Sequence, residues 1–273
     1  MIKRWILIFA LICAVVLGLY WLFFQKKPIE KPRTWDDITK DGTLHIVTEY
    51  NATGFYVEGD SLAGFQYEMA KSFAQQHNLK LEITPEMLLS KQMEGLCSGK
   101  YDILANNLLV TSENKDSILL FSNPIVVNKQ VLVQRTKSDN DSLGLYISSP
   151  LQLGGKTICV TEDSPVIYRI QNLSEEMGDT IHIREIKKYG AEQLLAMVAH
   201  GDIDYAVCDK QTAQQMKSEI EGLDISQDIS FNQFYSWGVH MSNKKLLQHI
   251  NEWLEQYIAS EEFAILQKKY LLD

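Results

Sequence analysis

"LHIVTEYNATGF" (Leu44–Phe55) and "KTICVTEDSPVI" (Lys156–Ile167) decide how this chain is read. Each is a short run rich in β-branched residues. Each ends in Val-Thr-Glu and runs into turn or cap residues, the pattern of a strand leading to a loop. A second pair of matching segments follows. "QMEGLCSGKYDILANN" carries Gly99 and Asp102, and "QLLAMVAHGDIDYAVCD" carries Gly201 and Asp204. In both, a helical stretch gives way to Gly-x-x-Asp and then an apolar strand, with the glycine where a helix C-cap is wanted. The same order in both halves implies two similar α/β lobes.

The segments between these marks alternate in type. "GFQYEMAKSFAQQHN" spaces Phe65, Met69 and Phe73 four apart, the stripe of an amphipathic helix. "LKLEI" (79–83) and "IHIREI" (181–186) read as strands. In "SPVIYRIQNLSEEMG" Ser164 is expected to be an N-cap with Pro165 at the first helical position. The chain closes on two amphipathic helical stretches in "NKKLLQHINEWLEQYIASEEFAILQKKYLLD". Strands alternating with helices predict a mainly parallel sheet in each lobe. Such sheets take ligands at the carboxyl ends of their strands. That rule selects Glu49, the segment after Ala105, Asp163–Ser164 and Asp209, which line one cleft if the lobes face each other.

The first segment differs from the rest. "WILIFALICAVVLGLYWLFF" (Trp5–Phe24) is 20 residues without a charge, long enough at about 30 Å to span a bilayer core. It exceeds the ~7–15 apolar residues of a cleaved signal and ends without a small-residue cleavage site. An uncleaved transmembrane anchor over 1–24 is the favoured reading, followed by a proline-containing charged linker over 25–34. Residues 34–273 carry 20 Lys+Arg against 34 Asp+Glu, a net −14, which argues against nucleic acid as a partner. Cys13 falls in the anchor. Cys97, Cys159 and Cys208 are far apart without C-x-x-C, and are expected to be free. The six histidines are scattered, with no H-E-x-x-H; G-x-S-x-G and a phosphate loop are also missing. No catalytic residues, metal site or cofactor are therefore assigned, and the chain is expected not to be an enzyme.

With these residues in view, about 35–273 resembles the family 3 periplasmic solute-binding proteins of the amino-acid transporter type. "GFQYEMAKSFAQQHNLKLEI" resembles that family's Gly-Phe helix and following strand. "YDILANNLLVTSENKDSILLFSNPI" resembles its Thr-x-Glu-Arg…Phe-Ser-x-Pro segment, and "HGDIDYAVCD" its second-lobe strand ending in a ligand-binding Asp. "QVLVQR" and "GDIDYAVCD" are also similar to the non-catalytic N-terminal module of the lytic transglycosylase F family. That likeness implies a domain on the periplasmic side of the inner membrane. Because the sequence stops at "LQKKYLLD", it also implies a binding module without the transglycosylase.

The resemblance implies a two-lobed α/β binding protein of type II with a hinge. Lobe 1 is expected at 35–132 plus 237–273 and lobe 2 at 133–236. The crossing segments are "QVLVQR" (130–135) and "FNQFYSWGV" (231–239), with Tyr235 and Trp237 as packing residues. It assigns Asp209 to a ligand ammonium, Ser164 to a carboxylate at a helix start, Glu49 to a cationic part of the ligand, and Thr111 to a carboxylate. Asn107 falls where the chain passes the ligand. Asp209 and Ser164 read equally as N-caps, Glu49 as a solvated strand end, and Asn107 and Thr111 as turn residues. Two departures stand out. Asn114 occupies the place of a carboxylate-gripping arginine, whose two-pronged charged bond neither Asn nor the neighbouring Lys115 reproduces. Ala52 lies near where a stacking aromatic is usual, with Tyr50, Phe55 or Tyr56 as stand-ins. The expected ligand therefore bears an amine and has a masked or distant carboxylate, as in a peptide fragment. The expected partners are this small molecule, the inner membrane through the N-terminal helix, and a transporter permease or a cell-wall enzyme.

Overall fold

Thr34 starts the first helix with a capping box. Its hydroxyl accepts the Asp37 N–H at 3.2 Å, and the Asp37 carboxylate accepts the Thr34 N–H at 2.9 Å. The computed structural model describes residues 31–109, 118–140 and 144–271. The expected anchor (1–24) and residues 25–30 of the expected linker (25–34) lie outside these. No helix among the described residues is long and apolar enough to cross a membrane.

The elements run in order α1 (Trp35–Asp41), β1 (Thr43–Thr48), β2 (Tyr56–Glu58), β3 (Ser61–Ala63), α2 (Phe65–Gln76), β4 (Lys80–Pro85), α3 (Leu89–Ser98), β5 (Ile103–Leu109), β6 (Leu119–Phe121) and β7 (Val126–Asn128). The chain then forms β8 (Gln130–Arg135), α4 (Lys137–Asn140), a 3₁₀ turn (Pro150–Leu153), β9 (Thr157–Thr161), α5 (Val166–Met177), β10 (His182–Ile186), α6 (Ala191–His200), β11 (Ala206–Asp209), α7 (Lys210–Glu219) and β12 (Leu223–Asp228). It returns through β13 (Gln233–His240) to α8 (Lys244–Tyr257) and α9 (Glu261–Tyr270).

Two mixed sheets result. The first has the order β4-β1-β5-β13-β6 with β7 on β13, and the second β10-β9-β11-β8-β12. The expected parallel character holds for three strands of each, β4-β1-β5 and β10-β9-β11. The remaining pairings are antiparallel, because β8 and β13 enter each sheet directly from the other lobe and run against its other strands, β6 and β7 flanking β13 and β12 flanking β8. All of β8 belongs to the second sheet and all of β13 to the first. The chain therefore crosses between sheets at Asn128–Gln130 and Asp228–Gln233.

Both sheets are covered on two faces. In β8, Val131 and Val133 pack into one cluster with Leu195 and Val198, while Leu132 packs into another with Ile158, Val160 and Ile170. That is the period-2 alternation of a strand buried on both sides. The first lobe's core is aromatic. Trp237 stacks on Trp253 at 5.7 Å between centroids and donates from Nε1 to Gln66 Oε1 at 2.7 Å. Trp237 is thus the packing residue it was expected to be.

The repeated Gly-x-x-Asp marks have a structural counterpart. Gly99 and Gly201 both end their helices in the left-handed conformation, with φ of 77° and 84°. Each aspartate then receives an arginine. Arg33 reaches Asp102 at 3.2 Å, and Arg135 reaches Asp204 at 2.8 Å. Asp102 is the more enclosed, and also accepts the His45 N–H at 2.8 Å. Burial outweighs these partners and pushes its carboxyl up to about 6. Cys159 and Cys208 are buried and Cys97 is half-buried, all as free thiols.

Candidate functional site

The carboxyl ends of β1, β9 and β11 meet at a cavity of about 160 Å³ between the two sheets. Its lining includes Glu49, Glu162, Asp163, Glu192 and Asp209. Among the described lining residues there is no lysine, arginine or histidine. Only Glu162 has a described counter-cation, Lys187 at 3.2 Å; the excess of carboxylates gives a site that favours positive charge.

Glu49 follows the last residue of β1. Its backbone N–H is held by Asn106 Oδ1 at 3.0 Å, and Asn106 is itself fixed by a 2.5 Å bond to Gln92. Thr48 beside it donates to the Ala105 carbonyl at 2.8 Å. These bonds fix the backbone but leave the Glu49 carboxyl without a hydrogen bond or ion pair among the described residues. Burial pushes that carboxyl up to about 7, and the negative charge of Asp209 adds to the effect. A cation placed between the two acids would reverse the second contribution.

Asp209 ends β11 and caps α7. Its Oδ1 accepts the Thr212 N–H and Asn128 Nδ2, both at 3.0 Å, and its Oδ2 accepts Thr212 Oγ1 at 2.7 Å. The N-cap reading of Asp209 is therefore realised, on a carboxylate that also lines the cleft. Ser164 differs. Helix α5 begins at Val166 with Pro165 in the capping position, and no side chain caps it. Ser164 is not the N-cap expected from the sequence; one residue of offset moves its hydroxyl off the cap and onto the cleft wall. Asp163 precedes it with φ of 59°, a conformation that Asp tolerates better than most residues.

The two lobes touch directly across the cleft. The Ala52 N–H donates to Glu192 Oε1, and Ser90 Oγ donates to Asp163 Oδ2, both at 2.6 Å. Beneath them Gln130 of β8 donates to the Tyr235 hydroxyl of β13 at 2.7 Å. Tyr235 is buried and forms part of the cavity wall, so it serves as both packing and lining residue. Burial and the Asp209 charge push its phenol upward. Of the three aromatics weighed as substitutes at Ala52, Tyr50 lines the cleft, about half exposed. Phe55 is buried behind it and Tyr56 pairs with Tyr270.

The loop carrying Ala52 is shaped by Asn51. Its Oδ1 accepts the Thr53 and Gly54 N–H groups at 3.2 and 2.5 Å, an Asx turn. Gly64, with φ of 121°, lies so close to the Gly54 carbonyl that a side chain there would collide with it.

Of the residues singled out in sequence, Glu49, Ser164 and Asp209 come together in this cavity. Thr111, Asn114 and the side chain of Asn107 lie outside the described residues. Sequence reasoning missed Glu192, Asn106 and Gln130. Glu192 had no marker, because an acid in the first turn of a helix is ordinary dipole chemistry. Asn106 and Asn107 are indistinguishable in "ANN" until the strand register is known.

The fold and cleft define a two-lobed binding protein with its site between the lobes. The family model for bacterial extracellular solute-binding proteins, family 3, matches residues 43–273, and the chain belongs to that family. It is 27% identical over 247 residues to membrane-bound lytic murein transglycosylase F of Shewanella sediminis, covering 90% of this chain and 50% of the relative. The chain thus spans about half the length of the curated relatives it matches. Among solved structures, a mutant ArgBP from T. maritima superposes with a TM-score of 0.73 at 23% identity, over 86% of this chain and 97% of that one. An ancestral arginine-binding protein bound to glutamine superposes with a TM-score of 0.71 at 26% identity, over 84% and 97% of the two chains.

Proposed function

We propose that the chain is a membrane-anchored, extracytoplasmic binding protein whose lobes close on a small amine-bearing ligand, an amino acid or a cell-wall peptide, for transport or sensing. The observation that carries the ligand part of this reading is the cavity lined by five acids, of which only Glu162 has a described cation beside it. A free amino acid brings an ammonium and a carboxylate; this cavity offers partners for the first and opposes the second. An ammonium or guanidinium beside Glu49 would pair with a carboxylate that has no other partner among the described residues. The arginine-binding protein among the structural neighbours is consistent with a cationic ligand. Closure about the two crossing segments is the usual way such lobes enclose a ligand.

Calorimetry on the full chain with arginine, arginine amide and glutamate tests the reading. The amide, which masks the carboxylate, is expected to bind at least as tightly as arginine, and glutamate weakest. Glutamate binding tightest of the three would overturn it. A second reading is favoured by the relatives' greater length: a regulatory module of cell-wall turnover that recruits or controls a lytic enzyme. Pull-down from membranes separates the two, since permease subunits support transport and cell-wall enzymes support regulation.

A further inference from the structure

A second concavity runs across the hinge. It is a groove of about 760 Å³ whose walls come from both lobes. Val126, Val127 and Asn128 of β7 and one face of α9 supply the first-lobe side; the first turns of α7 supply the other. Its charge is opposite to that of the cleft. Lys129, Lys210 and Lys268 line it, with amides from Gln211, Gln214 and Gln267, and no acid is among the described lining residues. Lys129 pairs with Asp228 at 2.5 Å on the rim. The ammonium groups of Lys210 and Lys268 have no ion-pair partner among the described residues. On a body of net −14, a groove lined by three lysines and no acid is a local reversal of sign. Beside it, Phe234 and Val127 stand opposite one another on neighbouring strands, 58% and 52% exposed, and Phe231 is 88% exposed.

One buried side chain joins groove to cleft. Asn128 Nδ2 donates to Asp209 Oδ1 at 3.0 Å and to Gln211 Oε1 at 3.1 Å. Asp209 lines the cleft and Gln211 the groove. The Asn128 side-chain Oδ1 meanwhile accepts the Lys129 N–H at 2.8 Å. A ligand that draws the Gln211 amide toward itself therefore alters a bond on the cleft's own carboxylate.

We propose that this hinge groove docks an acidic, extended peptide segment of a partner protein, and that its occupancy is linked to closure of the cleft. The amides suit the backbone of an extended chain, Lys210 and Lys268 suit its carboxylates, and Val127 with the nearby phenylalanines suits an interspersed apolar side chain. The linkage follows from walls that belong to both lobes and so change spacing whenever the lobes move.

The test is fluorescence anisotropy of the full chain with a labelled peptide of alternating glutamate and serine around one leucine. The lysine counterpart of that peptide serves as control. Binding is expected for the acidic peptide alone, weakening as salt rises. Lys210→Glu with Lys268→Glu is expected to weaken it by about tenfold or more. Lys40→Glu with Lys156→Glu, which reverses two lysines outside the groove, is expected to change it less than about twofold. No binding, or equal weakening by both pairs, would overturn the docking site. So would anionic vesicles engaging Lys210 and Lys268 in place of the peptide. Hydrogen exchange read at Ala52 tests the linkage separately: altered protection on adding peptide is expected, and unchanged protection overturns it.

Discussion

Glu49 and Glu162 end the same three-residue phrase, Val-Thr-Glu, and each follows the last residue of its strand. Both line the same cavity. Their surroundings are nevertheless different. Glu162 meets Lys187 at 3.2 Å, and that lysine is 75% exposed. Among the described residues Glu49 has no cation and no hydrogen bond to its carboxyl, which burial pushes up to about 7. The repeated phrase builds two equivalent strand ends. What surrounds each end decides whether its acid is solvated or left open to a ligand. Asp209 makes the same point in a third way, since both of its oxygens are engaged within the protein.

The largest expected difference between the two glutamates lies in binding. Glu49→Gln is expected to weaken an amine-bearing probe such as arginine amide by roughly 2–5 kcal/mol, the range for truncating one side of an enclosed charge pair. Glu162→Gln is expected to change it by less than about 1 kcal/mol, because an exposed pair contributes little. Calorimetry on both variants at pH 8 measures this. Equal losses would mean that the cation sits between the two glutamates and that the open valence of Glu49 is irrelevant.

Stability against pH gives a second separation. The Glu49 carboxyl lies near 7 in the folded chain against the usual 4.5. Below pH 4.5 both states hold the proton and nothing is lost. Between pH 4.5 and 7 the unfolded chain releases it while the folded chain keeps it, so stability falls as pH rises. Above pH 7 the loss is complete, at up to roughly 3 kcal/mol. Asp102, raised from 3.8 to about 6, adds a fall of the same sign in its own window. The comparison of Glu49→Gln with the parent chain cancels that contribution. Urea unfolding is expected to show the variant more stable at pH 8 and equal at pH 4. A variant no more stable at pH 8 would mean that ionising Glu49 costs the folded chain nothing.

Much of this architecture was legible in sequence because the marks were local. The Val-Thr-Glu phrases, the glycine caps at 99 and 201 and the helix stripe through Phe65, Met69 and Phe73 each depend on neighbours within a few residues. Strand ends at Glu49 and Asp209 then followed from the parallel-sheet rule. The contacts across the cleft were not legible. Ala52 and Glu192 are 140 residues apart, and neither sits in a distinctive motif. Ser164 shows how fine the limit is. Its serine–proline pair marks a helix start correctly to within a residue, yet that residue decides between a cap and a free hydroxyl. The antiparallel strands were missed for a related reason. A crossing strand such as β8 has the composition of any buried strand, and its direction depends on which lobe the chain has just left.

The smallest expected effect isolates the cause of the difference. If the cation of Lys187 were what distinguishes Glu162 from Glu49, removing it should make the two glutamates alike. If enclosure distinguishes them, Lys187→Met should matter little, since water replaces the ammonium at an exposed rim. The second outcome is expected: a change below about 0.5 kcal/mol, or roughly 1–2 °C in the melting temperature of a chain this size. A scanning calorimetry shift of several degrees would instead make Glu162 dependent on its partner. The two strand ends would then be equivalent acids, one of which happens to have found a lysine.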